Sequence, residues 1–261
     1  MGEKSKNRNT RKRLQLIDSI RGLSILSMIG YHFCWIACFF GLFIPAELMY
    51  GKSFYIWERS ICITFIFLSG FVFSLGKKRM KNGLKILSIG IAITIGSVLF
   101  VNEVRDVFGV LWILGVSPLI LYLPDKYLLK DLKGNKVKAA ALFILTTILF
   151  ILTYNINEGY LGLLGKRWLL PRGLYKGYFM TFLGFMEPGF YSVDYFSVLP
   201  WLFMYLMGYF AQKLTYGSYI YNNVFTKGIP FLKDIGKHSL IIYLIHPVVI
   251  FIVVYLLRIF L

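Results

Sequence analysis

The chain has 261 residues, of which 57% are hydrophobic and 18% aromatic, and its mean hydropathy is +0.67. A soluble core of that length cannot hide so much apolar surface, which excludes an ordinary globular enzyme and leaves a polytopic membrane protein. The net charge of +17 would suit a nucleic-acid binder, but its placement along the chain excludes that reading.

In chain order, a basic tail at 1–16 precedes an apolar stretch at 20–43. The stretch is too long for a signal-peptide core, and the tail offers no small-residue cleavage site, so it is expected to stay as an anchor. Further spans of the length needed to cross a bilayer are predicted at 60–76, 84–101, 107–124, 138–154, 196–212 and 239–257. With the N-terminus cytoplasmic, the segments on that side carry 20 Lys and Arg and the outer segments 8, Arg21 completing the 29. That bias obeys the positive-inside rule. The basic excess is thus a topology signal with some affinity for anionic lipid, and no nucleic acid is expected as partner.

The stretch 173–186 is fourteen residues long and holds Lys176. It is too short and too polar for a full span and reads as interfacial or re-entrant. The expected architecture is an all-α polytopic membrane bundle of about seven transmembrane helices. Its transmembrane domain covers 17–261, with an outer loop at 155–195.

Ionisable side chains inside such spans are the first functional candidates. Asp18, Arg21 and His32 fall in the first span. At about 100° per residue, His32 lies within roughly 20° of Arg21 on one helix face, about 16 Å further along, and Asp18 within about 60°. A snorkelling arginine and a satisfied core histidine would give the same spacing. His238, Ser239 and His246 accompany the last span, where Pro247 frees a backbone carbonyl near position 243. His246 at that point either is satisfied by backbone or faces a cavity.

Asp194 stands just ahead of the sixth span, as an N-cap or as a carboxylate on the outer loop. Glu158, Arg167, Arg172 and Glu187 share that loop as solvated charges or acceptor contacts, and Trp112 reads as packing. Cys34, Cys38 and Cys62 read as small buried side chains, and no metal is expected. Phosphate-loop, serine-elbow and His-Glu-x-x-His motifs are absent from the sequence.

Several ordered motifs carry a resemblance. Asp18-x-x-Arg21-Gly22-Leu23-Ser24-Ile25, continuing to Met28 and Tyr31-His32, resembles the opening helix of bacterial homologues of heparan-alpha-glucosaminide N-acetyltransferase. The wider transmembrane acyltransferase superfamily has a similar Arg-x10-His spacing. Phe67-Leu68-Ser69-Gly70, Phe108-Gly109-Val110-Leu111 with Gly115, Asp194-Tyr195-Phe196 with Leu199-Pro200-Trp201, and Gly236-x-His238-Ser239-Leu240 with Ile242-Tyr243 and His246-Pro247 are similar to that family's later signatures. Many relatives have His where this chain has Trp112.

The resemblance implies a multi-pass acetyltransferase of a bacterial inner membrane, with acetyl-CoA as donor on the cytoplasmic side. The acceptor would be a hydroxyl or amino group of a glycan or lipid-linked envelope molecule. In that chemistry Arg21, supported by Asp18, His238 and Ser239, would hold the donor, since a guanidinium suits phosphate. His32 would be general base or acetyl carrier, with Asp194 and His246 as further catalytic candidates. Homo-oligomerisation stays open. The competing readings are a transporter or lipid-export protein without covalent chemistry, and a non-catalytic scaffold.

Overall fold

The computed structural model describes residues 13–101, 104–132 and 134–260. The basic tail up to position 12 lies outside the described residues. Each predicted span is a helix: α1 (Gln15–Phe39), α3 (Lys52–Phe73), α4 (Arg79–Phe100), α5 (Val110–Tyr127), α6 (Lys136–Thr153), α8 (Val198–Thr215) and α10 (Ser239–Phe260). Shorter elements lie between them: α2 (Ala46–Met49), β1 (Tyr160–Leu163), β2 (Lys166–Leu169), α7 (Tyr178–Leu183) and α9 (Pro230–Lys237). By length and composition α1, α3, α4, α6 and α10 can each cross a membrane. Both α5 and α8 have 18 residues and so are about 27 Å long, just under the roughly 30 Å of a hydrocarbon core.

Several hydroxyl side chains inside these apolar helices find backbone partners, whereas Ser117 Oγ of α5 is buried without a partner among the described residues. In α6, Thr146, Thr147 and Thr153 donate to the carbonyls of Leu142, Phe143 and Leu149 at 2.9, 2.8 and 2.7 Å. In lipid such internal partners count for more, because no water competes for the groups. Asn135 caps the helix by accepting from the amide of Lys138 at 2.9 Å, as an N-cap side chain should.

The chain forms two compact units, one of residues up to Ile61 and from Gly217 onward, the other Cys62–Tyr216. In the first, α9 is clamped on the start of α1 by two facing glycines. A Cβ on Gly22 would lie 1.9 Å from the carbonyl oxygen of Leu232, and one on Gly236 would lie 1.8 Å from that of Asp18. Backbone therefore touches backbone at the crossing, which only glycine allows. Ser19 Oγ accepts from the amide of Ile229 at 3.0 Å, and the amide of Leu16 donates to Phe225 at 3.1 Å. From that anchor α10 runs beside α1 in the same direction, Ile250 and Val254 packing on Ile36 and Ala37.

The helix α3 begins eight residues before its expected span. Trp57 draws it onto α1, its Nε1 donating to Ser27 Oγ at 2.7 Å and its ring meeting Tyr31 edge-on at 5.7 Å. Packing thus extends a helix that hydropathy alone would start at position 60.

In the second unit the same device recurs. A Cβ on Gly70 would reach the carbonyl oxygen of Tyr205 at 1.8 Å, and one on Gly208 that of Phe67 at 1.9 Å. Asp125 gathers three helices, accepting from Arg79 of α4 and from the Tyr209 hydroxyl of α8 at 2.5 Å, with Lys213 Nζ 3.8 Å away. Trp112 is packing, as its sequence context suggested: Nε1 donates to Thr94 Oγ1 at 2.9 Å, and the ring lies against Phe108 and Phe182.

The 155–195 segment folds on itself. An antiparallel hairpin pairs Tyr160 with Leu169 and Leu163 with Lys166, a small β element in an otherwise helical chain. Leu164 and Gly165, at φ 49° and 81°, form its two-residue turn, the geometry that tight hairpins favour. The stretch 173–186 contributes only the six-residue α7, far short of a full crossing. At its far end α8 becomes regular after Leu199, whose ψ of 130° is non-helical, the conformation favoured ahead of a proline.

The glycine contacts set a stability test. Gly236→Ala drives a methyl group into backbone and is expected to lower stability by about 1–3 kcal/mol or more. Gly96→Ala in α4 meets open space and should be neutral or stabilising by up to about 1 kcal/mol. Thermal unfolding of the two variants in detergent checks the contrast; equal midpoints would remove the packing explanation.

Candidate active site

The first unit builds a histidine pair from two helices. His32 sits two-thirds along α1, and His246, only 5% exposed, lies two turns into α10. His246 Nε2 is 3.2 Å from His32 Nδ1, and the ring centroids are 4.8 Å apart. The remaining nitrogen of His246, Nδ1, is 3.1 Å from the carbonyl oxygen of Ile242. A carbonyl only accepts, so His246 Nδ1 carries a proton. In the neutral pair His246 Nε2 is then the acceptor and His32 Nδ1 the donor, which leaves the lone pair on His32 Nε2. The assignment follows from hydrogen-bond logic alone. A residue two turns into the proline-containing last helix thereby fixes the tautomer of one in the first.

Around the pair, the Tyr31 ring lies 5.8 Å from His32 and 6.3 Å from Phe54, and the Tyr243 ring 5.7 Å from His246. These aromatic walls limit how each imidazole can turn. Toward the start of α1, Asp18 is 7% exposed and accepts from Arg13 Nε at 2.5 Å. Arg21 lies one turn further, partly buried, on the side of the helix that Asp18 shares. His238 ends α9, its Nδ1 3.0 Å from the Asp234 carbonyl oxygen, and Ser239 opens α10. Six sequence candidates thus fall in one unit. Within it His32 and His246 touch, while Asp18 and Arg21 mark the opposite end of α1.

Asp194 belongs to the second unit and has a different partner from the one expected. It does not cap α8, whose N-cap residue is Ser197. Its Oδ2 accepts from the amide of Val110, the first residue of α5, at 3.0 Å. Capping is right in kind, but it serves a helix 84 positions earlier. The carboxylate meets the positive end of that helix dipole, an interaction of about 0.5–2 kcal/mol.

The sequence reading passed over Asp106, which the fold sets beside Asp194. Its amide donates to Ser97 Oγ at 2.9 Å, and one carboxyl oxygen is buried without a partner among the described residues. Burial, with the Asp194 charge adding to it, pushes Asp106 up to about 8. Strap-like hydrogen bonds hold the two loops together: Arg105 Nε to Tyr191, Val107 to Ser192 Oγ, Val193 to Arg105 and Phe196 to Phe108, all between 2.8 and 3.1 Å. The only linear signal is an acid in a short loop between two spans. Its proximity to another acid 88 positions away is tertiary information. Nearby, Tyr195 donates to Thr181 at 2.5 Å, and burial raises its phenol to about 12, so it acts as a fixed donor.

Among the described residues no cluster of three or more His, Cys, Asp or Glu could hold a metal ion. Cys34, Cys38 and Cys62 are half-buried and outside any disulfide.

The sequence from residue 13 to 248 matches the family described as heparan-alpha-glucosaminide N-acetyltransferase, catalytic. The chain belongs to the heparan-alpha-glucosaminide N-acetyltransferase family. No curated protein and no solved structure matches it. The family match encloses all seven candidate residues, and with the apolar helices it makes the chain a multi-pass membrane protein of an N-acetyltransferase family. Such an enzyme requires an acyl donor and an acceptor.

The Asp106 carboxyl gives this acetyltransferase-family chain a pH signature. A carboxyl with a raised folded-state pKa binds its proton more tightly when folded, so stability is highest below the ordinary value of 3.8 and falls as pH rises to about 8. Thermal midpoints between pH 5 and 8 are expected to decline for the wild type and to flatten for Asp106→Asn. An undiminished decline in Asp106→Asn would assign the slope to another group.

Proposed function

We propose that the protein transfers an acetyl group from acetyl-CoA to an amino or hydroxyl group of an envelope glycan or lipid-linked acceptor. Its setting is a bacterial inner membrane, with the N-terminus cytoplasmic. The observation that carries this reading is the His32–His246 pair, whose hydrogen bonds leave His32 Nε2 as a base, inside a region matched to an N-acetyltransferase family.

The donor enters at the cytoplasmic end of α1. Arg21, with Asp18 nearby and His238 and Ser239 at the start of α10, contacts its phosphates, as a guanidinium does well. The roughly 16 Å from Arg21 to His32 along the helix is of the order of an extended pantetheine arm, so the thioester reaches the histidine pair. The acceptor nitrogen or oxygen attacks the thioester carbonyl while His32 Nε2 takes its proton. Collapse of the tetrahedral intermediate breaks the C–S bond, and the thiolate of CoA recovers that proton from His32. His246 passes its hydrogen-bonding preference through His32 and shares the transient positive charge. Attack by His32 itself, giving an acetyl-imidazole that the acceptor then consumes, uses the same groups in two steps.

Expected outcomes separate the roles. His32→Ala should lose about 10²–10⁴-fold in acetyl transfer, the usual contribution of a positioned base, while still binding acetyl-CoA. His246→Asn should lose less and shift the pH–rate profile. Arg21→Ala should weaken acetyl-CoA binding measured by calorimetry on purified protein. Full transfer by a folded His32→Ala variant would sink the proposal.

A further inference from the structure

The hairpin of β1 and β2 folds back against the end of α6 and leaves a cleft of about 370 Å³ between them. Phe150, Tyr154 and Asn155 line one side, and Tyr160, Gly162 and Arg167 the other. Arg167 pairs with Gly162 across the hairpin, and Tyr160 stands two positions before Gly162, so all three share one face of the ribbon. The Arg167 guanidinium lies over the Tyr160 ring, 4.9 Å from its centroid. A Cβ on Gly162 would meet Tyr160 Cε2 at 3.4 Å and Asn155 Nδ2 at 3.6 Å, so the missing side chain keeps the space between them open. Neither the guanidinium nor the Asn155 side-chain amide makes a hydrogen bond or ion pair with another described residue. Lys166 adds a second cation to the lining, which contains no acid. Glu158, in the turn before β1, is exposed and outside it.

We propose that this cleft binds the phosphate headgroup of an anionic membrane lipid. The site lies wholly in the second unit and does not rest on the acetyltransferase reading. Two observations choose the ligand. The first is charge. Stacking on Tyr160 holds the guanidinium in place while its fork of donors stays unspent, and that fork matches phosphate oxygens. Asn155 Nδ2 borders the same space from the α6 side and can donate as well. With no carboxylate in the wall, the two cations favour an anion over a neutral ligand. The second observation is depth. Asn155 follows α6 within a stretch, Lys136–Glu158, that is long and apolar enough to cross a membrane, which puts the cleft at the level of lipid headgroups. Tyr154 and Tyr160 wall it as interfacial rings do, one end apolar and the other wet. Ile151, a further lining residue, is 49% exposed and joins the cleft to the apolar flank of α6. A lipid lying along α6 thus brings its phosphate to Arg167 while its tails stay in the bilayer.

The test uses the full chain purified in a polyoxyethylene detergent, with lipid retention read by native mass spectrometry. Phosphatidylglycerol is expected to remain as one tightly held copy, and phosphatidylcholine of the same chain length to dissociate first. Arg167→Gln should weaken the tight copy at least about tenfold, the usual weight of hydrogen bonds to a charged group. Gly162→Val suits a strand but fills the floor of the cleft and should weaken it comparably. Arg172→Gln removes an exposed arginine outside the lining and should change nothing. An equal loss in Arg172→Gln would mean diffuse attraction between a basic chain and anionic lipid, and would overturn the proposal. Equal retention of the two lipids would remove the charge argument and the proposal with it. Displacement of phosphatidylglycerol by millimolar glycerol phosphate would assign the cleft to a soluble phosphate, and displacement by dodecyl maltoside to a neutral sugar; either result overturns the lipid assignment. The contrast between the two lipids needs no variant, so a substitution that unfolds the hairpin leaves the proposal open to rejection.

Discussion

The crossing of α1 and α9 at Gly22 and Gly236 governs the geometry of the histidine unit. Because the two backbones touch, α9 has one depth and one angle on α1. The chain turns at His238, the last residue before α10, and α10 must then rise alongside α1. His246 arrives opposite His32, and further up Ile250 and Val254 close on Ile36 and Ala37. A larger side chain at either glycine would displace α10 as a body and separate the imidazoles. Gly22 and Gly236, within the motifs that resemble the acetyltransferase family, are therefore packing residues, and they set the distance between the two imidazoles.

The membrane environment explains why so few polar groups do so much. A hydroxyl or imidazole at depth finds its partner in the protein, since the bilayer core offers none. That need converts His246 into a residue with a defined tautomer, one nitrogen on a backbone carbonyl and the other on His32. In the second unit Asp125 gathers Arg79, Tyr209 and Lys213, and Asp194 serves the free amide of α5. Carboxylates there act as knots between helices. Asp194 remains a catalytic candidate, and its present geometry gives it an anchoring task in any case.

A chain of this kind separates two readings that compositional analysis merges. Apolar helices with scattered ionisable groups describe transporters as well as enzymes. The proposed function separates them by assigning His32 as a base at one end of a helix whose other end carries Arg21, a cation suited to phosphate. In the proposed function the donor's length matches that separation.

Much was legible in the sequence because bilayer thickness imposes a length and an apolarity that single segments must satisfy alone. All seven predicted spans are helices, the 173–186 stretch falls short of a crossing, and Trp112 packs as its surroundings implied. The Asp18, Arg21 and His32 face follows from helical period, a local rule. Relations between distant segments were not legible. Helix periodicity predicts nothing about which face of α10 meets α1, so the contact between His32 and His246, 214 positions apart, required the glycine crossing to be known. Hydropathy likewise could not foresee α9, whose partner is α1, or the earlier start of α3, which Trp57 produces by docking on Ser27 and Tyr31. Nor could it show that Asp194 caps α5 or that Asp106 stands beside it. The sequence by itself determined which segments form long apolar helices and which side chains stand out as polar within them, because those depend on each segment's own composition. Tertiary structure decided which of those side chains meet, because that depends on backbone-to-backbone contacts made only once the helices have packed.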